Sequence, residues 1–161
     1  MLQRCAKSMN PFIYKVSIDG IERNVLSLLP SEEVFATGLK ETAIVGYVFN
    51  PSVNLSVNNV QINPAFVSLF QKVVYTTSLK APALKEAAHR QQQGFIYIID
   101  QRDRNYPNTK GTDIIGAFAV KDGMLQKDSY QPNPNYQIVS DDGLFQLSSD
   151  YIENLLTEIR Q

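Results

Sequence analysis

Residue types that build crosslinks and metal sites are almost missing from these 161 residues, which hold one cysteine, one histidine and no tryptophan. A lone Cys5 cannot close a disulfide within the chain. One Cys and one His cannot assemble a Cys/His zinc site, so no metal is expected. Long apolar runs are also missing. The longest, Phe95 to Ile99 and Ile114 to Val120, are of strand length and far short of a membrane span. The first ten residues carry Arg4 and Lys7 but no signal-peptide core. The expectation is a soluble chain, cytoplasmic or exported by a signal-peptide-independent route. Excess charge of either sign is absent too: fifteen Lys and Arg face sixteen Asp and Glu, for a net charge of −1. Nucleic acid and anionic membranes select basic faces, so neither is an expected partner. The sequence has no phosphate-loop motif, no G-x-G-x-x-G and no H-E-x-x-H, which removes the nucleotide-loop, Rossmann and zinc-protease classes.

What is present reads as one α+β domain, mainly antiparallel sheet with packed helices, over 11–161, after a flexible N-terminus at 1–10. Phe12 to Ile18 alternates and meets Asp19-Gly20, the signature of a hairpin. Pro30 to Phe35 predicts a short helix with Gly38 as its stop. Ala43 to Phe49 predicts a strand, and 51–62 a loop or weak edge strand. Asn63-Pro64 opens a helix, because Asn caps and Pro suits the first helical position. Its apolar face is Phe66, Val67, Phe70, Val73 and Val74. A second helix is predicted over Lys80 to Gln93, with Leu84, Ala87 and Ala88 inward, a Glu86–Arg90 pair outward and Gly94 as terminator. Phe95 to Ile99 predicts a central strand. After a polar loop, Ile114 to Val120 turns at Asp122-Gly123 into Met124-Leu125. Tyr136 to Val139 predicts a short strand, and Leu144 to Leu147 another. Ser148 or Ser149 caps a last helix with Tyr151, Ile152, Leu155, Leu156 and Ile159 on one face.

Few side chains stand out as chemistry. His89 lies alone on a polar helix end and reads as a surface residue. Asp100, Asp103, Asp113 and Asp128 read as solvated carboxylates. Pro132 and Pro134, with Tyr130 and Tyr136 around them, make either an aromatic loop suited to protein contact or an ordered surface loop.

The order of segments carries more. Ile13-Tyr14-Lys15, then Pro30-Ser31-Glu32-Glu33-Val34-Phe35, then Val74-Tyr75-Thr76-Thr77-Ser78, the helix Lys80 to Gln93, Phe95-Ile96-Tyr97-Ile98-Ile99 and Asp113-Ile114-Ile115-Gly116-Ala117-Phe118 follow one another. This series resembles the catalytic chain of the cholera and heat-labile enterotoxin group of ADP-ribosyltransferases, over about half the chain. The resemblance implies an ADP-ribosyltransferase-like fold, with NAD as cofactor lying between the Tyr14-Lys15 strand and Thr76, Thr77 and Ser78. If active, such a chain is a transferase or an NAD glycohydrolase.

Two hallmarks depart from the family. Lys15 stands where the family has an arginine, and lysine lacks the planar fork that grips a phosphate in bidentate fashion. The Glu-x-Glu strand is replaced by Tyr136-Gln137-Ile138-Val139. The remaining catalytic candidates there are Gln137, in the substrate-facing place, and Asp141 and Asp142 beyond it. Loss of a group that stabilises the ribosyl cation commonly costs about 10²–10³ in rate. The expectation is therefore an enterotoxin-like domain with a degenerate, catalytically impaired site that acts on or binds a protein partner. The alternative is a non-catalytic protein-interaction module of unrelated α+β fold.

Overall fold

The computed structural model describes residues 10–161. The stretch expected to be flexible lies outside them except for Asn10, and Cys5 lies outside them as well.

Strands β1 (Phe12–Ile18) and β2 (Ile21–Ser27) form the predicted hairpin. Asp19 and Gly20 both take positive φ (53° and 79°), the paired left-handed geometry that matches the twist of the flanking strands. The short helix α1 (Ser31–Thr37) follows and stops at Gly38. Strands β3 (Ile44–Val48) and β4 (Val60–Ile62) complete a four-stranded antiparallel sheet in the order β1-β2-β3-β4. Little of the 51–62 stretch is extended, because the buried Asn59 folds it into a loop. Its side chain accepts from Asn50 N and donates to the carbonyls of Asn50 and Val53.

Helix α2 (Pro64–Lys80) starts where Asn63 and Pro64 predict, and Asn63 Oδ1 accepts from the amide of Ala65 at 3.2 Å. Phe66, Phe70, Val73 and Val74 of the predicted face are buried. The helix then continues through Thr76, Thr77 and Ser78, the stretch that the resemblance sets against NAD. Pro82 begins a separate helix α3 (Pro82–Gln91), which closes at Gln92 with a φ of 68°. The second helix is thus shorter at both ends than predicted, and Gly94 opens the next strand rather than terminating the helix.

A second antiparallel sheet comprises β5 (Gly94–Ile99), β6 (Ile114–Lys121), β7 (Met124–Leu125) and β8 (Gln131–Pro132), with β6 pairing to the other three. Asp122 and Gly123 form the second positive-φ hairpin turn. Among the described residues β5 pairs only with β6, so the predicted central strand is an edge strand. Tyr136 to Ile138 is not extended. The strand expected there is confined to β9 (Val139–Ser140), which pairs with β10 (Gly143–Leu144). Helix α4 (Ser149–Arg160) closes the fold and packs Ile152, Leu155 and Ile159 inward. Ser148 holds its N-cap position but makes no side-chain cap bond.

One core cluster joins both larger sheets to α2 and α4. It contains Leu26, Val45 and Val48, then Phe66 and Phe70, then Ile98, Ile115 and Phe118, with Phe145, Ile152 and Leu155. Tyr130 and Tyr136 fold into this mass, which corrects the exposed aromatic loop. Tyr136 stacks on Phe70 with centroids 5.7 Å apart, and Tyr130 lies 4.8 Å from Phe118 with its hydroxyl donating to Gln71. Gly116 makes room for Tyr130: a Cβ there would sit 2.6 Å from the ring. No helix among the described residues is long and apolar enough to cross a membrane.

Candidate interaction surface

The residues singled out for NAD binding and for catalysis fall into three separately engaged groups. Tyr14 on β1 donates its hydroxyl to Leu29 O at 2.6 Å, and Lys15 forms an exposed pair with Glu22 across the hairpin at 3.3 Å. Burial pushes the Tyr14 phenol up, and Glu32 adds to the shift. Thr76, Thr77 and Ser78 serve helix packing instead. Thr76 returns its hydroxyl to the Lys72 carbonyl, Thr77 accepts from Asn154 at 2.9 Å, and Ser78 shares a 2.8 Å bond with Tyr151. The last two bonds tie α2 to α4. Thr77 also borders a polar notch of about 220 Å³ with Lys80, Asp150 and Glu153.

Among the described residues Gln137 bonds through its main chain, its amide donating to Thr112 and its carbonyl accepting from Arg102. Asp141 is exposed, and Asp142 meets Lys110 at 3.3 Å. No hydrogen bond or ion pair among the described residues joins Tyr14 and Lys15 to Thr76–Ser78, or either set to 137–142. His89 is exposed, as expected. No group of three or more His, Cys, Asp or Glu able to hold a metal ion occurs among the described residues.

The carboxylates expected to be solvated divide. Asp128 is exposed and Asp103 is half-buried, whereas Asp100 (0 % exposed) and Asp113 (1 %) are fully inside. They are held there by Arg102, itself 2 % exposed. Arg102 Nε bonds Asp113 Oδ1 at 2.8 Å and lies 3.6 Å from Asp100 Oδ2. Asp100 Oδ1 accepts two amides, from Arg102 and Gln146, and Oδ2 accepts the Tyr136 hydroxyl at 2.6 Å. Burial pushes the Asp100 carboxyl above its ordinary value, while Arg102 and the hydrogen bonds pull it back. Asp113 Oδ2 is buried without a hydrogen-bond partner among the described residues. All three charged side chains are shut off from solvent. The chemistry of the network is that of a staple, satisfying buried charge by pairing and hydrogen bonding.

The outer face of the second sheet is different. Ile96, Ile98, Phe118 and Val120 point to the core, so the alternate residues point outward. Phe95 lies opposite Ala119, and Tyr97 opposite Ala117, with Met124 opposite Lys121 at the far side. Phe95 is 60 % exposed, Tyr97 56 % and Met124 68 %. The outcome is two aromatic rings beside a floor of alanines, on a face where a one-sided antiparallel sheet normally turns polar residues outward. A hint lay in the sequence: apolar residues occupy both parities of Phe95 to Ile99. A central strand buried on both faces and a strand with an exposed apolar face give the same pattern.

No protein-family model matches the chain, and neither a curated protein nor a solved structure matches it significantly.

Proposed function

We propose that this chain is a non-catalytic protein-interaction module that meets its partner through the uncovered face of β5 and β6. The observation that carries the reading is the outward pair Phe95 and Tyr97 flanking Ala117 and Ala119. Aromatic residues and methionine are enriched, and charged residues depleted, at the centres of protein interfaces. Rigid rings standing beside small residues also offer a partner both ridges and a floor to fill.

The test is a comparison of the wild-type chain with a Phe95→Glu/Tyr97→Glu variant as bait in an extract of the source cells. Because both side chains are exposed, the double variant should stay within roughly 1 kcal/mol of wild-type stability, read by urea unfolding. Proteins retained by the wild type should be lost at least about tenfold from the variant. Equal retention by both would remove this face from the function. Titration calorimetry with NAD and a nicotinamide-release assay address the enterotoxin-like alternative on the same samples. NAD binding with turnover overturns the non-catalytic reading, and turnover abolished by Asp141→Ala or Asp142→Ala would make that residue the missing carboxylate.

A further inference from the structure

The connection between β5 and β6 is far longer than a sheet of this kind needs. Antiparallel neighbours usually close with two to five residues, whereas this one runs from Asp100 to Asp113. Both ends of it are fixed by one buried side chain. Arg102 uses all five of its N–H groups: Nε on Asp113, Nη1 on the carbonyls of Ile138 (3.1 Å) and Gly143 (2.9 Å), and Nη2 on those of Thr112 (3.3 Å) and Gln137. The base of the loop is therefore tied to its own far end, to the chain leading into β9 and to the first residue of β10.

The tip is ordered by its own contacts. Asp103 Oδ1 accepts the amide of Asn105 and Oδ2 accepts the hydroxyl of Thr109, both at 2.9 Å, and the Asn108 amide returns to the Asn105 carbonyl at 2.6 Å. Lys110 is matched by Asp142. Two side chains are left over. Arg104 is exposed, Tyr106 is 80 % exposed, and neither has a hydrogen-bond or ion-pair partner among the described residues.

We infer that the 103–109 loop is a recognition loop for an acidic protein segment, with Arg104 taking a carboxylate and Tyr106 entering an apolar socket. This rests on the protein-interaction reading above and adds a partner chemistry to it. Charge decides the class of partner, and residue type and order suit the loop to binding. Asp103 spends both oxygens inside the loop and Lys110 is neutralised, so Arg104 is the uncompensated charge that the tip presents. Arg and Tyr are the residue types that most often dominate binding energy, because a planar fork and a rigid ring lose little freedom for the contacts they gain. A tip already held in shape loses little more on binding. A chain of net charge −1 with one such cation is poorly suited to a phosphate backbone, which favours a peptide carboxylate over nucleic acid.

The experiment selects random twelve-residue peptides displayed on phage against the full chain, then measures the enriched peptides by fluorescence polarisation. They should carry Asp or Glu beside an aliphatic or aromatic residue. Their Kd should rise about tenfold or more in Arg104→Glu and in Tyr106→Ala, and rise with salt in the wild type. Melting temperatures matching the wild type show that both exposed variants fold. Failure to enrich any peptide, or enrichment of peptides without acidic residues, overturns the inference. Binding that survives both loop variants but is lost in Phe95→Glu/Tyr97→Glu overturns it while leaving the sheet-face reading standing. A twelve-nucleotide oligo-dT that binds through Arg104 more tightly than the peptides overturns it in favour of nucleic acid.

Discussion

The Tyr136 hydroxyl donates to Asp100 Oδ2 while the Arg102 guanidinium lies 5.5 Å from the centre of its ring. Losing its proton there would put a second anion beside a buried carboxylate, and burial followed by Asp100 holds this phenol well above its ordinary value of 10. Burial raises Tyr130 and Tyr151 as well, the Ser78 bond partly opposing the shift of Tyr151. The unfolded chain releases these protons near pH 10, and the fold keeps them to higher pH. The folded state thus binds more protons in that window, and the linked stability is complete below pH 10 and lost as pH rises above it. Each retained proton is worth about 1.4 kcal/mol per pH unit. Tyr136→Phe should be less stable at pH 7, by about 1–3 kcal/mol, because Asp100 Oδ2 loses its donor. Its stability should nevertheless fall less steeply between pH 10 and 11, by the share of one tyrosine. Urea unfolding at pH 7, 10 and 11 measures both effects, and parallel alkaline slopes would clear Tyr136 of the role. None of this was legible from residue identities. Whether Asp100 and Asp113 are solvated depends on Arg102, and Arg102 is satisfied by carbonyls at 137, 138 and 143 that share no local pattern with it.

Asn63 shows how one side chain can fix the start of an element. Its oxygen accepts from the first turn of α2, while its Nδ2 donates to the carbonyls of Glu41 and Ile44, both at 2.8 Å. The cap therefore also sets where α2 leaves the first sheet. Asn63→Ala should cost about 1–3 kcal/mol, a cap loss plus the lost donations to the buried Ile44 carbonyl and to the Glu41 carbonyl, which keeps the Ile44 amide. Asn63→Asp keeps the acceptor and loses both donations, so its urea midpoint should fall between wild type and the alanine variant. An aspartate variant as stable as wild type would show that only the cap matters. Local chemistry of this sort was readable in advance, at Asn63-Pro64 and at both Asp-Gly hairpins, because the signal and the structure lie within a few residues of each other. The continuation of α2 past Val74 was not legible, because Tyr and Thr are weak helix formers and intrinsic preference is a weak prior. Here Val74, Thr77 and Ser78 are buried, and the bonds to Tyr151 and Asn154 are made only from a helix facing α4. For β5 the element was right and its place wrong, since no strand pattern records how many neighbours a strand will have. The same blindness hid the candidate surface, because exposed Phe95 and Tyr97 look in sequence like core.

The whole molecule turns on α2, whose buried face meets residues from both larger sheets. Phe70 lies on that face, fully buried among aromatic rings of α2 and of the C-terminal segment. Its ring lies 4.9 Å from Phe145 in an edge-on arrangement, is stacked with Tyr136, and sits 6.2 Å from Phe66. The sheets are separate in hydrogen bonding, so any cooperativity between them must pass through side-chain packing. A smaller cluster of Ala88, Ile96 and Val120 continues the inward face of the second sheet against α3, and Leu84 packs against both clusters. Two-state unfolding is the expectation for a domain of this size with one continuous core. Phe70→Ala tests whether that core is one unit. Truncating a fully buried phenylalanine should cost about 3–5 kcal/mol. If packing through α2 couples the sheets, amide protons of β2 and β3 should lose protection by the same free energy as those of β5 and β6. Hydrogen exchange followed by mass spectrometry reads the two sets separately, and tyrosine fluorescence with far-ultraviolet dichroism should give one coincident transition. Protection lost in only one sheet would mean that the chain folds as two coupled halves. In that case the outer face of β5 and β6, with the loop that joins them, would keep its shape when the first sheet opens.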